Sequence, residues 1–322
     1  MCFLMGSSAG GMLPVVYTLL CEIIPKRHRS WVLILVGGSG LVGGYLAASG
    51  AAHVLEPDFG WRSLWLQGFP TGLVLLGLSR FVPESPAFLF AHNRLDEFAV
   101  LTSRFGVVGV ERNQTIETSS ENAPGAGTRT ALIVTALSWS FVNFGLLLWL
   151  PMDLQARGYS SSLTSGILAK SSLLALPAIG MSAWIYSRVG GRATLIATIL
   201  LTLSGLIGAL LPAELLVRGP ILIVVLTVLI VGTNGTIAVL LPYTAEIFPV
   251  AVRGRATGLV AGSSKLGGLI VQLAALIGLV PTLGGAALAL LAPTGLSVLM
   301  IAFSGFQARR RILLPQPESG VG

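Results

Sequence analysis

Charge is what this sequence has least of. Asp, Glu, Lys and Arg together make up 10% of its 322 residues, against 53% hydrophobic ones. A water-soluble domain devotes about 25% of its residues to charge. That excludes a soluble globular domain and makes the lipid bilayer the solvent. Cysteine is nearly absent: there are two, Cys2 and Cys21. On one helix they would lie roughly 28 Å apart at 1.5 Å per residue, which excludes a disulfide between them. Neither stands in a metal-ligand cluster, so no redox or metal chemistry is built on them. The apolar N-terminus has no basic region before it and no small-residue cleavage site after it. It reads as a spanning helix rather than a signal peptide. No nucleophile–base pair, metal-ligand cluster or phosphate-cradling loop occurs. The chain is therefore read as no enzyme, with no cofactor and no bound metal. The glycines of "GGSGLVGG" follow no strand and read as close helix contacts, not as a nucleotide loop.

What the chain does have is long apolar runs. A span needs about 20 mostly apolar residues, and nine such runs are expected: 2–21, 31–54, 62–81, 130–151, 163–186, 193–212, 219–242, 254–279 and 284–306. Connections are short except 82–129, which is rich in Ser, Thr, Asn, Glu and Arg. Its start, "PAFLFAHNRLDEFAVLTSRFG", has apolar residues at helical spacing between charges, and predicts a short amphipathic helix at the membrane surface followed by a tether.

The net charge of +7 is a matter of topology, not a footprint for nucleic acid. Alternate connections collect 15 of the 20 basic residues, from Lys26, Arg27 and Arg29 through Arg188, Arg192, Arg253 and Arg255 to Arg309, Arg310 and Arg311. The other side has Arg62, Arg157 and Arg218, while Lys170 and Lys265 fall inside spans. This asymmetry predicts a multi-pass protein of the cell (inner) membrane, with the long connection and the C-terminus in the cytoplasm.

One passage is written twice. "EIIPKRHRSWVLILVGGSGLVGG" at 22–44 and "EIFPVAVRGRATGLVAGSSKLGG" at 246–268 share ten of 23 residues at an offset of 224. Both copies begin at the same membrane face, and six spans lie between corresponding points. The repeat unit is therefore six helices running in parallel, and a complete pair would have twelve. By the same offset, three spans are expected ahead of the first copy and are not in this sequence.

Parallel six-helix repeats are the architecture of the major facilitator superfamily. The residues resemble its sugar-porter and metabolite–proton symporter branch. "GSSAGGMLPVVYTLLCEIIPKRHR" is similar to that family's fourth helix and following turn, with Gly6, Gly10, Gly11, Glu22, Pro25 and Arg29 in place. "PESPA" at 83–87 stands where the branch has Pro-Glu-Ser-Pro-Arg, with Ala87 for arginine, and "LPYTAEIFPVAVRGRATGL" looks like the tenth helix, its loop and the start of the eleventh. Departures are Cys2 for an arginine, and Ser187 and Gly191 in the loop between the eighth and ninth helices. The fifth helix also lacks the Gly-Pro step of drug antiporters. The resemblance implies an all-α membrane protein, a major-facilitator-like bundle of about nine transmembrane helices. Residues 1–81 would form three spans of an N-terminal bundle, 82–129 a linker, 130–308 a C-terminal six-helix bundle and 309–322 a tail.

Lys265 falls about eleven residues into its span, near mid-membrane, where a cation costs about 2.5–3.5 kcal/mol on insertion scales. Either it serves a central cavity as an anion-binding or gating charge, or it snorkels or pairs structurally. Lys170, nearer a span end, has the same two readings. Asn143, Asn234 and Tyr243 offer hydrogen bonds to a solute or to a neighbouring helix. Glu22 with Arg29, and Glu246 with Arg253, flank Pro-containing turns. The resemblance implies that these residues latch the cytoplasmic gate, with Arg188 or Arg192 as partners, and ordinary interfacial charge is the plain alternative. Trp61, Trp65 and Trp149 read as interfacial anchors. No Asp or Glu lies in the core of a span. Proton coupling, if present, would draw its acid from helices outside this sequence. The expected function is secondary transport of a small polar solute by alternating access. Lys265 favours an organic anion over a sugar, and protons are the coupling ion that the resemblance suggests. The other class of reading is a non-transporting remnant or a membrane-embedded interaction protein.

Overall fold

The computed structural model describes residues 16–17, 19–20, 23–105, 124–216, 219–248, 250–279 and 281–313. The predicted span 2–21, both cysteines and Glu22 therefore lie wholly or almost wholly outside the described residues. Among those residues there is no strand. The helices are α1 (Lys26–Phe59), α2 (Arg62–Ser79), α3 (Pro86–Ala91), α4 (Leu95–Phe105), α5 (Ala126–Phe141), α6 (Leu147–Ala156), α7 (Ser161–Val189), α8 (Gly191–Gly208), α9 (Ala213–Leu216), α10 (Gly219–Ile247), α11 (Val250–Leu276) and α12 (Leu283–Leu313). A π-helical turn, Val142–Leu146, joins α5 to α6 without a break.

Among the described residues, seven helices are long and apolar enough to cross a membrane: Trp31–Phe59, Ala126–Ala156, Ser161–Val189, Gly191–Gly208, Pro220–Ile247, Gly254–Leu276 and Leu283–Ser304. Each coincides with a predicted span. The run 62–81 is also a helix, α2, but Arg62, Ser63 and Gln67 in its first turns keep it out of that set. In both copies of the repeated passage a helix opens at the equivalent position, Lys26 in α1 and Val250 in α11. Proline cannot continue an upstream helix but suits the start of a new one.

The chain divides into two compact units. The first comprises residues up to 117 together with 160–188, and the second comprises 118–159 with 189 onward.

In the first unit α1 and α2 meet at Gly60, whose φ of +70° is open to glycine and strained for other residues. The far end of α1 is tied to the start of α7. His53 Nδ1 lies 2.6 Å from the Ser162 carbonyl oxygen, and the Ser161 hydroxyl donates to Glu56 Oε2 at 2.8 Å. Gly166 permits this approach, since a Cβ there would stand 2.9 Å from the imidazole. His53, at the end of the predicted span 31–54, thus lies inside a helix that runs five residues past that end. The single amphipathic helix expected after residue 86 is two, α3 and α4. The Ser85 hydroxyl accepts from the Phe88 amide to cap α3, and Asn93 at φ +56° makes the corner. Arg94 then grips Glu97 through two hydrogen bonds of 2.9 and 2.7 Å.

The second unit is held by helix pairs whose backbones nearly touch. α8 packs along α10, where Gly205 faces the Leu229 backbone and Gly232 faces Leu201 and Thr202. α11 packs on α5 and the π turn, with Gly267 against Ser140 and Gly268 against Phe144. α12 closes over both α5 and α8. Small residues at crossings are how helices associate in lipid, where burying apolar surface gives little drive. Leu132, Leu147, Leu195, Leu206, Leu226 and Leu229 fill the interior and are almost wholly buried. The buried hydroxyls of Thr135, Thr202, Thr236 and Thr244 each donate to a carbonyl one turn back in their own helix. Asp153 closes one end of the unit: Oδ2 accepts from Arg157 Nε at 2.7 Å, and Oδ1 accepts from the Leu283 amide that opens α12.

Candidate substrate site and gate residues

The π turn organises the most chemically distinctive group in the chain. Inserting one residue into a helical turn disturbs the regular ladder of carbonyl bonds, and such turns recur at functional sites. Here the Phe144 carbonyl accepts from Gln272 Nε2 at 2.7 Å. Gly268, one turn before Gln272, leaves room for the Phe144 ring, and Gly145 lies against Val271. Trp139 meets the same ring edge-on, with centroids 5.8 Å apart. Above it Lys265 Nζ lies 5.5 Å from the ring centroid, within the range of a cation–π contact. Lys265, Gly268 and Gln272 share one face of α11 by their helical spacing. Lys265 and Gln272 are both exposed, and Asn143 is half-buried in the π turn itself. One ammonium, one aromatic face and the Gln272 amide are thereby brought together, with Asn143 in the same turn as the ring, a set suited to a carboxylate carried on a flat ring.

The remaining predicted cavity residues are Asn234, Tyr243 and Lys170. Asn234 is 2% exposed in α10, and its Nδ2 has no partner among the described residues. Tyr243 is half-buried near the end of α10, close enough to Arg192 and Glu246 to feel both charges. Lys170 is exposed on α7, in the first unit. No hydrogen bond or ring contact among the described residues links any of the three to Lys265.

Of the gate candidates, Arg29, Arg188, Arg192 and Glu246 have described side chains. Glu22 lies outside the described residues, as does the side chain of Arg253, whose backbone is in the first turn of α11. Arg29 Nη2 donates to the Ile24 carbonyl at 3.4 Å, and its buried Nε has no partner among the described residues. Arg192 donates to the carbonyls of Ile301, at 3.2 Å, and Ala302, which ties the start of α8 to α12. Arg188 lies 5.9 Å from the Trp184 ring centroid. Glu246 is exposed at the end of α10. Arg192 thus directs donors to main-chain oxygens of α12.

Two members of the site escaped the sequence reading. Gln272 was legible in principle, because it lies two turns from Lys265 on the same face. Phe144 became a partner only through the π turn, which no residue pattern announces.

The family model of the Major Facilitator Superfamily matches residues 1–272. The chain belongs to the major facilitator superfamily. It is a multi-pass integral membrane protein of that superfamily, as the paired Glu-Pro-Arg turns and the Pro-Glu-Ser-Pro run suggested. It is similar to the niacin transporter NiaP of Acinetobacter baylyi, at 28% identity over 83% of this chain and 63% of that protein. The gentisate transporter of Corynebacterium glutamicum is 28% identical over 85% of this chain and 59% of its own length. The inner membrane metabolite transport protein YgcS of Escherichia coli is 28% identical over 83% and 61%. The chain therefore spans about three fifths of the length of these curated relatives.

Proposed function

We propose that this superfamily member serves secondary transport of small organic anions, of the aromatic carboxylate class, by alternating access. The single observation behind this reading is the placement of Lys265 over Phe144, with Gln272 fixing the ring's backbone. A carboxylate would take the ammonium of Lys265 as its counter-ion. Its ring would pack against Phe144, and Asn143 would offer a hydrogen bond. Niacin and gentisate, in the names of two relatives, are both carboxylates on a flat ring.

The proposal extends to topology and gating. In chain order residues 1–81 supply one of the superfamily's bundles and 130–308 the other, joined by the linker 82–129, although 160–188 cluster with the first compact unit; the tail 309–322 lies in the cytoplasm of a cell-membrane protein. Tyr243, Arg192 and Glu246 form a cytoplasmic gate to which Arg253 contributes, and Glu22 with Arg29 forms its counterpart at the first turn. Protons are the coupling ion.

The test is binding of radiolabelled benzoate and niacin to the chain in lipid nanodiscs, followed by uptake in cells expressing it, with and without a protonophore. Saturable binding that Lys265→Ala abolishes while membrane insertion is unchanged supports the reading. Binding unaffected by Lys265→Ala, or binding of an uncharged sugar in preference to either acid, overturns it.

A further inference from the structure

The interior of the second unit has a polar hole. A cavity of about 10 Å³ lies where α5, α8, α10 and α12 converge, between the apolar walls of Val142 and Ile199. Trp139 lines it, is 7% exposed, and its Nε1 has no hydrogen-bond partner among the described residues. The other polar groups at the cavity are hydroxyls, and all but one of their protons are already committed. Thr135, Thr202, Thr236 and Ser297 each donate to a carbonyl of their own helix at 2.7–3.0 Å. Ser138 and Thr294 share one hydrogen bond of 3.0 Å across α5 and α12. The cavity is therefore lined by a tryptophan whose buried N–H is unmet, and by hydroxyl oxygens with lone pairs to spare.

We infer that this cavity is a binding site for a single water molecule, which accepts from Trp139 Nε1 and donates to two of the surrounding hydroxyl oxygens. The volume is at the threshold of one water-sized sphere, and buried waters make about three hydrogen bonds to groups that are otherwise unsatisfied. Water supplies an acceptor and two donors from one atom, which matches this lining. A bare cation would meet the indole N–H head-on and find no carboxylate to neutralise it. An apolar occupant would leave the N–H unmet in a medium that punishes unpaired donors. The water joins helices that direct side-chain bonds leave mostly separate. The inference rests on the packing of the second unit alone and is independent of the proposed substrate.

The experiment reads the indole N–H band in ultraviolet resonance Raman spectra of the chain in lipid nanodiscs, because that band shifts between a hydrogen-bonded and a free indole. Ser297→Val places methyl groups in the cavity and displaces the water. The wild-type-minus-Ser297→Val spectrum should show one of the six tryptophans moving from bonded to free. In a Trp139→Phe background the same difference should vanish. A featureless difference overturns the inference, since it means that the indole was free already or is met by a protein group. Should either variant fail to insert, a density map of the wild type at a resolution showing ordered water decides the matter. One peak within hydrogen-bond distance of Nε1 supports the site, and an empty cavity overturns it.

Discussion

Replacing Gly205 by alanine tests whether the second unit depends on backbone-to-backbone approach. A Cβ at this position would stand 2.8 Å from Leu229 Cα, 2.9 Å from its amide nitrogen and 3.0 Å from its Cβ. The first two are main-chain atoms of α10 and cannot swing aside. Relieving the clash means opening the α8–α10 seam from 2.8 Å to the 3.4 Å of ordinary contact, about 0.6 Å. A gap of that size forfeits a quarter to a half of the dispersion well for every atom pair along the seam. Overpacking of this kind destabilises by about 1–3 kcal/mol. Gly180→Ala on α7 is the control, because nothing lies within 4 Å of its Cβ. Both variants gain the same helix propensity, about 1 kcal/mol, so their difference isolates the steric contribution. At about 2–4 °C per kcal/mol for a unit of this size, Gly205→Ala should melt roughly 2–12 °C below Gly180→Ala. Size-exclusion chromatography of the heated chain in nanodiscs gives the readout. Equal melting of the two variants would refute the close crossing of α8 and α10.

Further expectations concern the site and its supports. Gln272→Leu leaves the Phe144 carbonyl without its side-chain donor and should lower benzoate affinity several-fold while Lys265 stays in place, as read by equilibrium binding. Lys265→Arg keeps the charge but not the point-like ammonium over the ring, so it should weaken binding less than Lys265→Ala; identical losses would show that charge is not what matters. Asp153→Ala removes both the Arg157 ion pair and an acceptor for the first amide of α12, and should lower the melting temperature by about 2–8 °C on the scale of one to two kcal/mol for a lost cap. Ser162→Ala removes one hydroxyl at the tie between α1 and α7, and should raise accessibility of a cysteine placed at His53, measured by maleimide labelling in intact membranes.

Much of this architecture was legible because the bilayer writes its demands in composition. Seven of the expected spans are described helices long and apolar enough to cross a membrane, because internally satisfied backbones leave no other solution in lipid. The duplicated turn was readable too, since proline dictates where a helix begins, and α1 and α11 open at matching positions. What could not be read was anything decided by side chains meeting across helices. Lys265 was conspicuous as a lone cation, yet its partner Phe144 depends on one extra residue in the turn before α6. Asn93 broke the expected amphipathic helix in two through a single left-handed residue. The first described span was ended at residue 54 because hydropathy fades before α1 does. The helix continues because Glu56 and His53 find partners on Ser161 and Ser162, and polar ends pair this way only in three dimensions.

The hydroxyls turned inward on their own helices bear on motion as much as on stability. A threonine bonded to the carbonyl beneath it brings its satisfaction along when its helix slides, so shear between neighbours breaks nothing at that point. Resistance is confined to the few places where one rod reaches across to another, chiefly Ser138 to Thr294 and Arg192 to the end of α12. Among the described contacts, those rivets are where sliding of α5 and α8 against α12 has to break a bond.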